Sequence, residues 1–261
     1  MPFFLKKRIF SLLKSKAQNV KISLFVPLTA LFLYVGISTL VLTCSNSIFT
    51  YFKLALPLSA FALMAALQLI ALFISLLFLI GFSKLQTGDV QALIWGQKNL
   101  LKPLFKGMLL SLVLYPVVIC FVQIIHQVVS LFIIFTRTDQ IAVWQLKNLR
   151  STPTVFWSFV VASFTVVPLI EELLFRGFWQ NYFVRLLGVR AGIGAASLLF
   201  TAFHYSAMQG MANIELLTAL FFLSYLIGST YIKEKSLFAP IGMHAAFNSL
   251  SVLMMLFVTD G

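Results

Sequence analysis

The sequence predicts an all-α, polytopic helical integral membrane protein with about seven or eight transmembrane helices. Hydrophobic residues make up 61% of the 261 positions and charged residues only 10%. The charges also fall in short gaps between uncharged runs of roughly 17 to 30 residues, the length that spans a bilayer. A soluble chain would carry roughly a quarter of its residues as charges. A single membrane domain is therefore the simplest organisation.

The N-terminal membrane region, 1–150, is predicted to hold a basic cytoplasmic tail and three spans. The tail, 1–21, carries six Lys and Arg residues and no acids. The apolar run that follows is too long for a signal peptide, so we interpret it as an uncleaved first helix. Glycine and proline residues separate the second span from the third. The three spans are 22–44, 54–83 and 107–136.

The C-terminal membrane region, 151–261, is predicted to hold four more spans. The first of them begins after a Ser-Thr-Pro sequence, which is typical of a helix N-terminus. The four spans are 151–175, 191–205, 216–232 and 236–259.

The distribution of basic residues predicts the orientation of the chain. With seven spans and the N-terminus in the cytoplasm, fifteen of the 19 Lys and Arg residues lie on the inner side, as cytoplasmic loops prefer. We therefore expect a multi-pass protein of a bacterial inner (plasma) membrane. The same distribution accounts for the net charge of +12 without a nucleic-acid partner, since the basic residues flank the spans and form no binding stripe.

Some polar residues within the spans are assigned no chemistry. Cys44 and Cys120 lie in or at apolar spans and are interpreted as free thiols that act as small apolar residues. His126, with Gln123 and Gln127 nearby in the third span, is interpreted as a histidine satisfied by its neighbours in the core.

Two adjacent carboxylates, Glu171 and Glu172, follow an apolar run in a chain that has only seven acidic residues. An unpaired carboxylate in lipid or in a protein interior is costly, so these groups need partners. Arg176 lies four residues after Glu172, on the same helical face. The histidines His204 and His244 are the other candidates. Purely structural pairing with Arg176 is the alternative interpretation.

The two histidines are predicted to approach the carboxylates. If the chain reverses near Gly188, Glu171 and His204 lie at a similar height on an antiparallel helix pair. In the last span, His244 and Asn248 are four residues apart and share one helix face. We therefore expect these groups to converge in a cavity that opens to the cytoplasm.

A carboxylate, two histidines and an amide in one cavity favour hydrolysis. The carboxylate, helped by one histidine, deprotonates a water molecule, while the second histidine and the amide stabilise the oxyanion of the tetrahedral intermediate. Two histidines and a glutamate can alternatively hold a zinc ion. The sequence contains no H-E-x-x-H motif, so no metal ligand is assigned, and zinc stays an open cofactor assignment.

Three motifs in order along the chain resemble those of the CPBP family of intramembrane proteases. They are E-E-x-x-x-R from Glu171 to Arg176, F-x-x-x-H from Phe200 to His204, and H-x-x-x-N from His244. This family includes the type II CAAX prenyl endopeptidases and the bacterial Abi and bacteriocin-immunity relatives. The resemblance covers roughly 151–259 and implies a helical membrane fold of about eight spans.

The resemblance also implies roles for individual residues. Glu171 matches the family's water-activating glutamate and His204 its partner. His244 and Asn248 match the oxyanion-stabilising pair. The supporting residues of the motifs are Glu172, Arg176 and Phe200.

The sequence therefore predicts a membrane endopeptidase whose partners are a peptide or protein substrate and membrane lipid. The substrate is a peptide or a lipidated, CAAX-like peptide, and its prenylation, the metal dependence and the oligomeric state are left open. A non-catalytic scaffold or a bacteriocin-immunity type of protein is the main alternative. A small transporter would use buried charges as a proton relay, but transport requires no oxyanion donor.

Overall fold

The computed structural model describes residues 22–52, 60–96, 100–132 and 140–258, and these ranges are mostly helical. The predicted basic tail, 1–21, lies outside them, as do the outer end of the third predicted span and the start of the second. The N-terminal region contains α1 (Phe25–Phe52), α2 (Ala60–Lys84), α3 (Gly88–Trp95), α4 (Leu101–Ser130) and α5 (Ile141–Leu149).

The C-terminal region is also helical, and it includes one π-helical segment and one 3₁₀ turn. It contains α6 (Pro153–Phe164), α7 (Val166–Glu172), a π-helical segment (Leu173–Gln180), α8 (Asn181–Leu187), α9 (Val189–Ala202), a 3₁₀ turn (Ala207–Gln209), α10 (Ala212–Glu234) and α11 (Phe238–Val258). Within the described ranges, Gly96 and Ser236 form an isolated antiparallel bridge, and no β-strand is present.

Six helical stretches of the described chain are long and apolar enough to cross a membrane, which confirms the polytopic helical fold class. They are Phe25–Cys44, Ala60–Lys84, Leu101–Ser130, Pro153–Leu187, Ala212–Glu234 and Phe238–Phe257. The predicted fifth span corresponds to α9, which has 14 residues and is therefore about 21 Å long. Because a bilayer core is about 30 Å thick, α9 alone does not cross it.

The fourth predicted span extends further than its predicted end at 175. The stretch Pro153–Leu187 is 35 residues long, and Arg176 within it is only 1% exposed. A charged residue in an apolar run suggests the end of a span, but here Glu172 pairs with it inside the protein. A paired charge need not mark a membrane boundary.

Two glycines allow α4 and α11 to pack with their backbones in close contact. A Cβ atom at Gly107 would lie 2.0 Å from the carbonyl oxygen of Ala239, and one at Gly242 would lie 2.1 Å from that of Leu104. Side chains larger than hydrogen have no room there, and small residues at helix contacts are typical of membrane proteins. This contact holds α11, and with it His244, against the N-terminal region.

A buried apolar cluster surrounds the end of α7. Its members come from seven α-helices and the π-helical segment, so the N-terminal helices α2 and α3 pack directly against the segment that carries the two carboxylates. The cluster includes Leu79, Ile94, Ile170, Leu173, Leu174, Phe178, Phe200, Tyr231 and Leu237.

The stretch from α6 to α7 is interrupted at Thr165, whose φ and ψ are −119° and −75°. Pro168 follows in the first turn of α7, and its nitrogen cannot donate to the carbonyl four residues earlier. The interruption therefore leaves carbonyl groups at the end of α6 without intrahelical partners, and one of these groups accepts a hydrogen bond in the candidate site.

Candidate active site

The two adjacent carboxylates at the end of α7 point to different environments. The Glu172 side chain is fully buried, whereas that of Glu171 is 18% exposed. Consecutive residues of a helix lie about 100° apart around its axis. Glu172 therefore enters the protein interior, and Glu171 faces a partly open space.

Glu172 belongs to a buried network that joins α7 to α10. Its Oε2 atom lies 3.0 Å from Nε of Arg176, in an ion pair whose N–H is not directed at the oxygen. The guanidinium Nη2 donates to the carbonyl and to the hydroxyl oxygen of Ser224, at 3.1 and 3.0 Å. Its Cζ atom lies 5.0 Å from the centroid of the Phe200 ring, a cation–π contact that covers the buried charge.

The other oxygen of Glu172 binds His244 directly. Oε1 lies 2.7 Å from Nδ1 of His244, and both side chains are buried. Because a carboxylate paired with arginine is ionised and can only accept, Nδ1 carries the proton and donates it. This contact fixes the tautomer and orientation of His244 and leaves Nε2 directed at the more open side. The sequence named His244 as a candidate partner of the two carboxylates but gave Glu172 only a supporting role, so it did not assign this contact to Glu172.

Glu171 lies between the two histidines. Its Oε2 is 3.6 Å from Nε2 of His244, and its Oε1 is 3.9 Å from Nε2 of His204. These separations exceed a normal hydrogen bond. Glu171 therefore makes no direct hydrogen bond to either histidine, and each separation is one that a water molecule commonly bridges.

His204 is held by its own helix. Its Nδ1 lies 2.8 Å from the carbonyl oxygen of Phe200, and because a carbonyl only accepts, Nδ1 is the protonated nitrogen. The other ring nitrogen, Nε2, faces Glu171. The chain reverses at Gly188, which has a φ of +83°, and this reversal brings His204 to the height of Glu171 as the sequence predicts.

Asn248, the fourth residue predicted for catalysis, binds backbone at the helix interruption. Its Nδ2 donates to the carbonyl oxygen of Ser163 at 2.8 Å, one of the groups near the end of α6. The amide has a second N–H that this bond does not use. Asn248 thus connects α11 to α6 on the helix face that also carries His244.

A second polar pair lies away from these residues. His126 of α4 contacts Glu215 in the first turn of α10 through Nδ1 and Oε1. As expected, His126 has a polar partner within the protein. That partner is Glu215, which the sequence did not indicate. The two cysteines of the chain are free thiols, and both are exposed on helix surfaces.

The sequence left zinc as an open cofactor assignment, and the positions of the side chains that could bind it bear on that assignment. Among the described residues, no three His, Cys, Asp or Glu side chains are grouped so that they could hold a metal ion. Glu171, His204 and His244 are the nearest candidates, with one carboxylate and two ring nitrogens facing each other.

Residues 153–250 match the family model described as "Type II CAAX prenyl endopeptidase Rce1-like". This range contains every residue that the sequence assigned to the site, and the match confirms the resemblance over this part of the chain. A search of curated proteins and a search of solved structures found no match.

Proposed function

We propose that this chain, whose residues 153–250 match the type II CAAX prenyl endopeptidase Rce1-like family model, hydrolyses a peptide bond near the C-terminus of an apolar or lipidated substrate. The observation that carries the proposal is the position of Glu171 between Nε2 of His204 and Nε2 of His244, at 3.9 and 3.6 Å. Polar groups separated by more than about 3.5 Å are commonly bridged by water, and a water at this point is the proposed nucleophile.

In this mechanism Glu171 acts as the general base and His204 assists it. His204 has its Nδ1 proton bound to the Phe200 carbonyl, so its Nε2 can accept a hydrogen bond from the same water. The water oxygen forms a bond with the substrate carbonyl carbon as Glu171 takes its proton. The proton then passes to the leaving amide nitrogen as the carbon–nitrogen bond breaks.

His244 is the proposed donor to the oxyanion. Glu172 accepts from Nδ1 and would stabilise a positively charged ring, as a buried carboxylate does for the histidine of a catalytic triad. A protonated Nε2 would then donate to the negative oxygen of the tetrahedral intermediate. The free N–H of Asn248 is the second proposed donor, with its other N–H held by Ser163.

The environment of the site suits an apolar substrate. Glu171 and His204 are 18% and 31% exposed, respectively, whereas the residues behind them are buried. Such a site, bounded by spanning helices, can receive a substrate laterally from the bilayer as well as from an aqueous side. Comparison of a farnesylated with an unfarnesylated peptide tests whether the substrate must carry a prenyl group.

The proposal is tested with purified protein in micelles and a fluorogenic peptide that ends in a farnesylated CAAX sequence, with the unfarnesylated peptide as a second probe. The wild type should release the C-terminal residues, and Glu171→Gln should not. Glu234→Gln is the matched control, since Glu234 pairs with Lys106 away from the site at 2.8 Å. If Glu171→Gln cleaves as fast as the wild type, the proposed base is wrong, and cleavage of neither peptide by the wild type would contradict the proposed substrate class.

A further inference from the structure

The segment that follows His204 has an extended backbone beside the site. Between α9 and α10 the chain forms a short loop, and Ser206 in this loop has φ and ψ of −136° and 124°, values typical of a β-strand. His204 lies only two residues earlier, so this extended residue is within about 7 Å of the histidine along the chain.

Asn213 of α10 occupies one side of this extended residue. Its Oδ1 accepts from the backbone N–H of Ser206 at 3.2 Å, and its Nδ2 donates to the carbonyl oxygen of Ser206 at 2.6 Å. Nδ2 also donates to the carbonyl of Gly210 at 3.0 Å. The buried Asn213 amide thus binds Ser206 as a neighbouring strand would, and it holds the loop in place.

The same two bonds determine where the adjacent backbone groups point. The N–H and C=O of a trans peptide are antiparallel, and no described peptide bond is cis. Because the N–H and C=O of Ser206 point at Asn213, the carbonyl of Tyr205 and the N–H of Ala207 point the opposite way.

Neither group has a hydrogen-bond partner among the described residues. Tyr205 is 63% exposed, and Ala207 is also exposed. One acceptor and one donor separated by a single extended residue form the edge to which another extended chain can bind through main-chain hydrogen bonds.

We propose that the backbone edge formed by the Tyr205 carbonyl and the Ala207 N–H binds the substrate as an added strand, next to His204 and Glu171. The occupant is an extended peptide segment, because its alternating N–H and C=O groups match this acceptor and donor. The edge begins at the residue that directly follows His204 in the chain. This inference rests on the proposed function, which it deepens by giving the conformation in which the substrate binds.

Ala207→Pro removes the donor with little change to the fold. Ala207 is the first residue of a 3₁₀ turn, where the φ of proline is acceptable. A residue before proline prefers extended ψ values, and Ser206 already has one. The side chain is exposed, so the ring has room.

The variant should raise KM for the farnesylated CAAX peptide about three- to tenfold while kcat stays within about twofold, because one hydrogen bond made equally in the ground and transition states is lost. Ala207→Val, which keeps the N–H, should raise KM less. Ile141→Pro is the matched control away from the site, since Ile141 also begins a helix after a residue with an extended ψ of 147°. Unchanged KM in a folded Ala207→Pro protein would overturn the proposal.

If the proline variant is unstable in thermal unfolding, N-methylated peptides test the proposed backbone edge on the wild-type protein instead. Peptides N-methylated at one backbone nitrogen at a time lack a single donor, and one position should weaken binding to the wild type because the Tyr205 carbonyl then loses its partner. Equal affinity for every methylated peptide would overturn the proposal. Peptide affinity is measured in the Glu171→Gln background by fluorescence anisotropy, so that binding is separated from hydrolysis.

The two proposals fail in different ways. Binding that is sensitive to Ala207→Pro and to N-methylation, in a protein that hydrolyses no peptide, would retain the strand edge and reject the peptidase. Hydrolysis that depends on Glu171 but is insensitive to both changes would retain the peptidase and reject the edge.

Discussion

At the residue scale, the two adjacent glutamates have different environments and should respond differently to the same substitution. Glu172 is buried between Arg176 and His244, whereas Glu171 faces a partly open space at distances above 3.5 Å from its neighbours. A charge in the first setting stabilises the fold, and a charge in the second setting is available for chemistry.

Glu172→Gln should therefore lower the stability of the folded protein, and Glu171→Gln should not. Removing one partner of a buried ion pair costs about 3–5 kcal/mol, because the other charge is left without compensation. Thermal unfolding in one detergent compares the two variants with the wild type. Equal midpoints for both variants would contradict the assignment of Glu172 to the buried network.

Asn248→Ala tests whether the amide contributes to catalysis or only to the contact with Ser163. If its second N–H stabilises the oxyanion, kcat should fall by a factor that corresponds to about 2–4 kcal/mol, with little change in KM. Steady-state kinetics on the farnesylated CAAX peptide measure both constants. A fall in unfolding temperature with unchanged kcat would leave Asn248 a purely structural role.

A chelator tests the metal assignment on the same residues. The described acids and histidines form no group of three that could hold a metal ion, so we expect turnover to survive prolonged treatment with a strong zinc chelator such as 1,10-phenanthroline. Loss of turnover that is restored by added zinc would show that Glu171 and the two histidines bind a metal, and the role of Glu171 as base would have to be revised.

At the element scale, the position of His244 depends on the close packing of α4 and α11. Gly107 and Gly242 each face a backbone carbonyl of the opposite helix, and a Cβ would approach it to 2.0 and 2.1 Å. Real Cβ atoms do not come so close, so any side chain must separate the helices. The site is thus held partly by helices outside the region that matches the family.

Gly242→Leu should separate α4 from α11 and reduce both stability and turnover. The matched control is Gly81→Leu in α2, because a Cβ at Gly81 would meet no atom within 4 Å. Thermal unfolding and peptide cleavage should show large losses for the first variant and small ones for the second. Similar behaviour of the two variants would mean that the packing does not position His244.

At the scale of the whole molecule, the sequence predicted the spanning fold and the residues that meet at Glu171. In a chain with seven acids and three histidines, ionisable groups inside apolar runs are conspicuous, and the reversal at Gly188 follows from a glycine between two helical segments. The predicted orientation, with the N-terminus in the cytoplasm, stays a prediction.

Other features could not be predicted because they depend on how helices rotate and pack. The contact of Glu172 with His244 joins residues from α7 and α11, and spacing along one helix suggested only Arg176. The extension of the fourth span to Leu187 depends on the burial of Arg176 against Ser224 of α10, a contact between helices. The partner of Asn248 depends on the helix interruption at Thr165, which frees nearby carbonyl groups.

The orientation can be measured by cysteine labelling in intact cells. With Cys44 and Cys120 replaced by alanine, Gln145→Cys should react with a membrane-impermeant maleimide added outside, because α5 lies on the predicted outer side. Lys106→Cys should react only after the cells are opened. The reverse pattern would overturn the orientation predicted from the basic residues.

The most direct test of the central claim compares peptides in membranes of cells that express the wild type, Glu171→Gln or the control Glu234→Gln. Quantitative mass spectrometry of new C-termini should find at least one apolar or lipidated protein that is shortened in the wild type and in Glu234→Gln but not in Glu171→Gln. Identical C-termini in all three membranes, at equal expression of the three proteins, would contradict a glutamate-dependent peptidase.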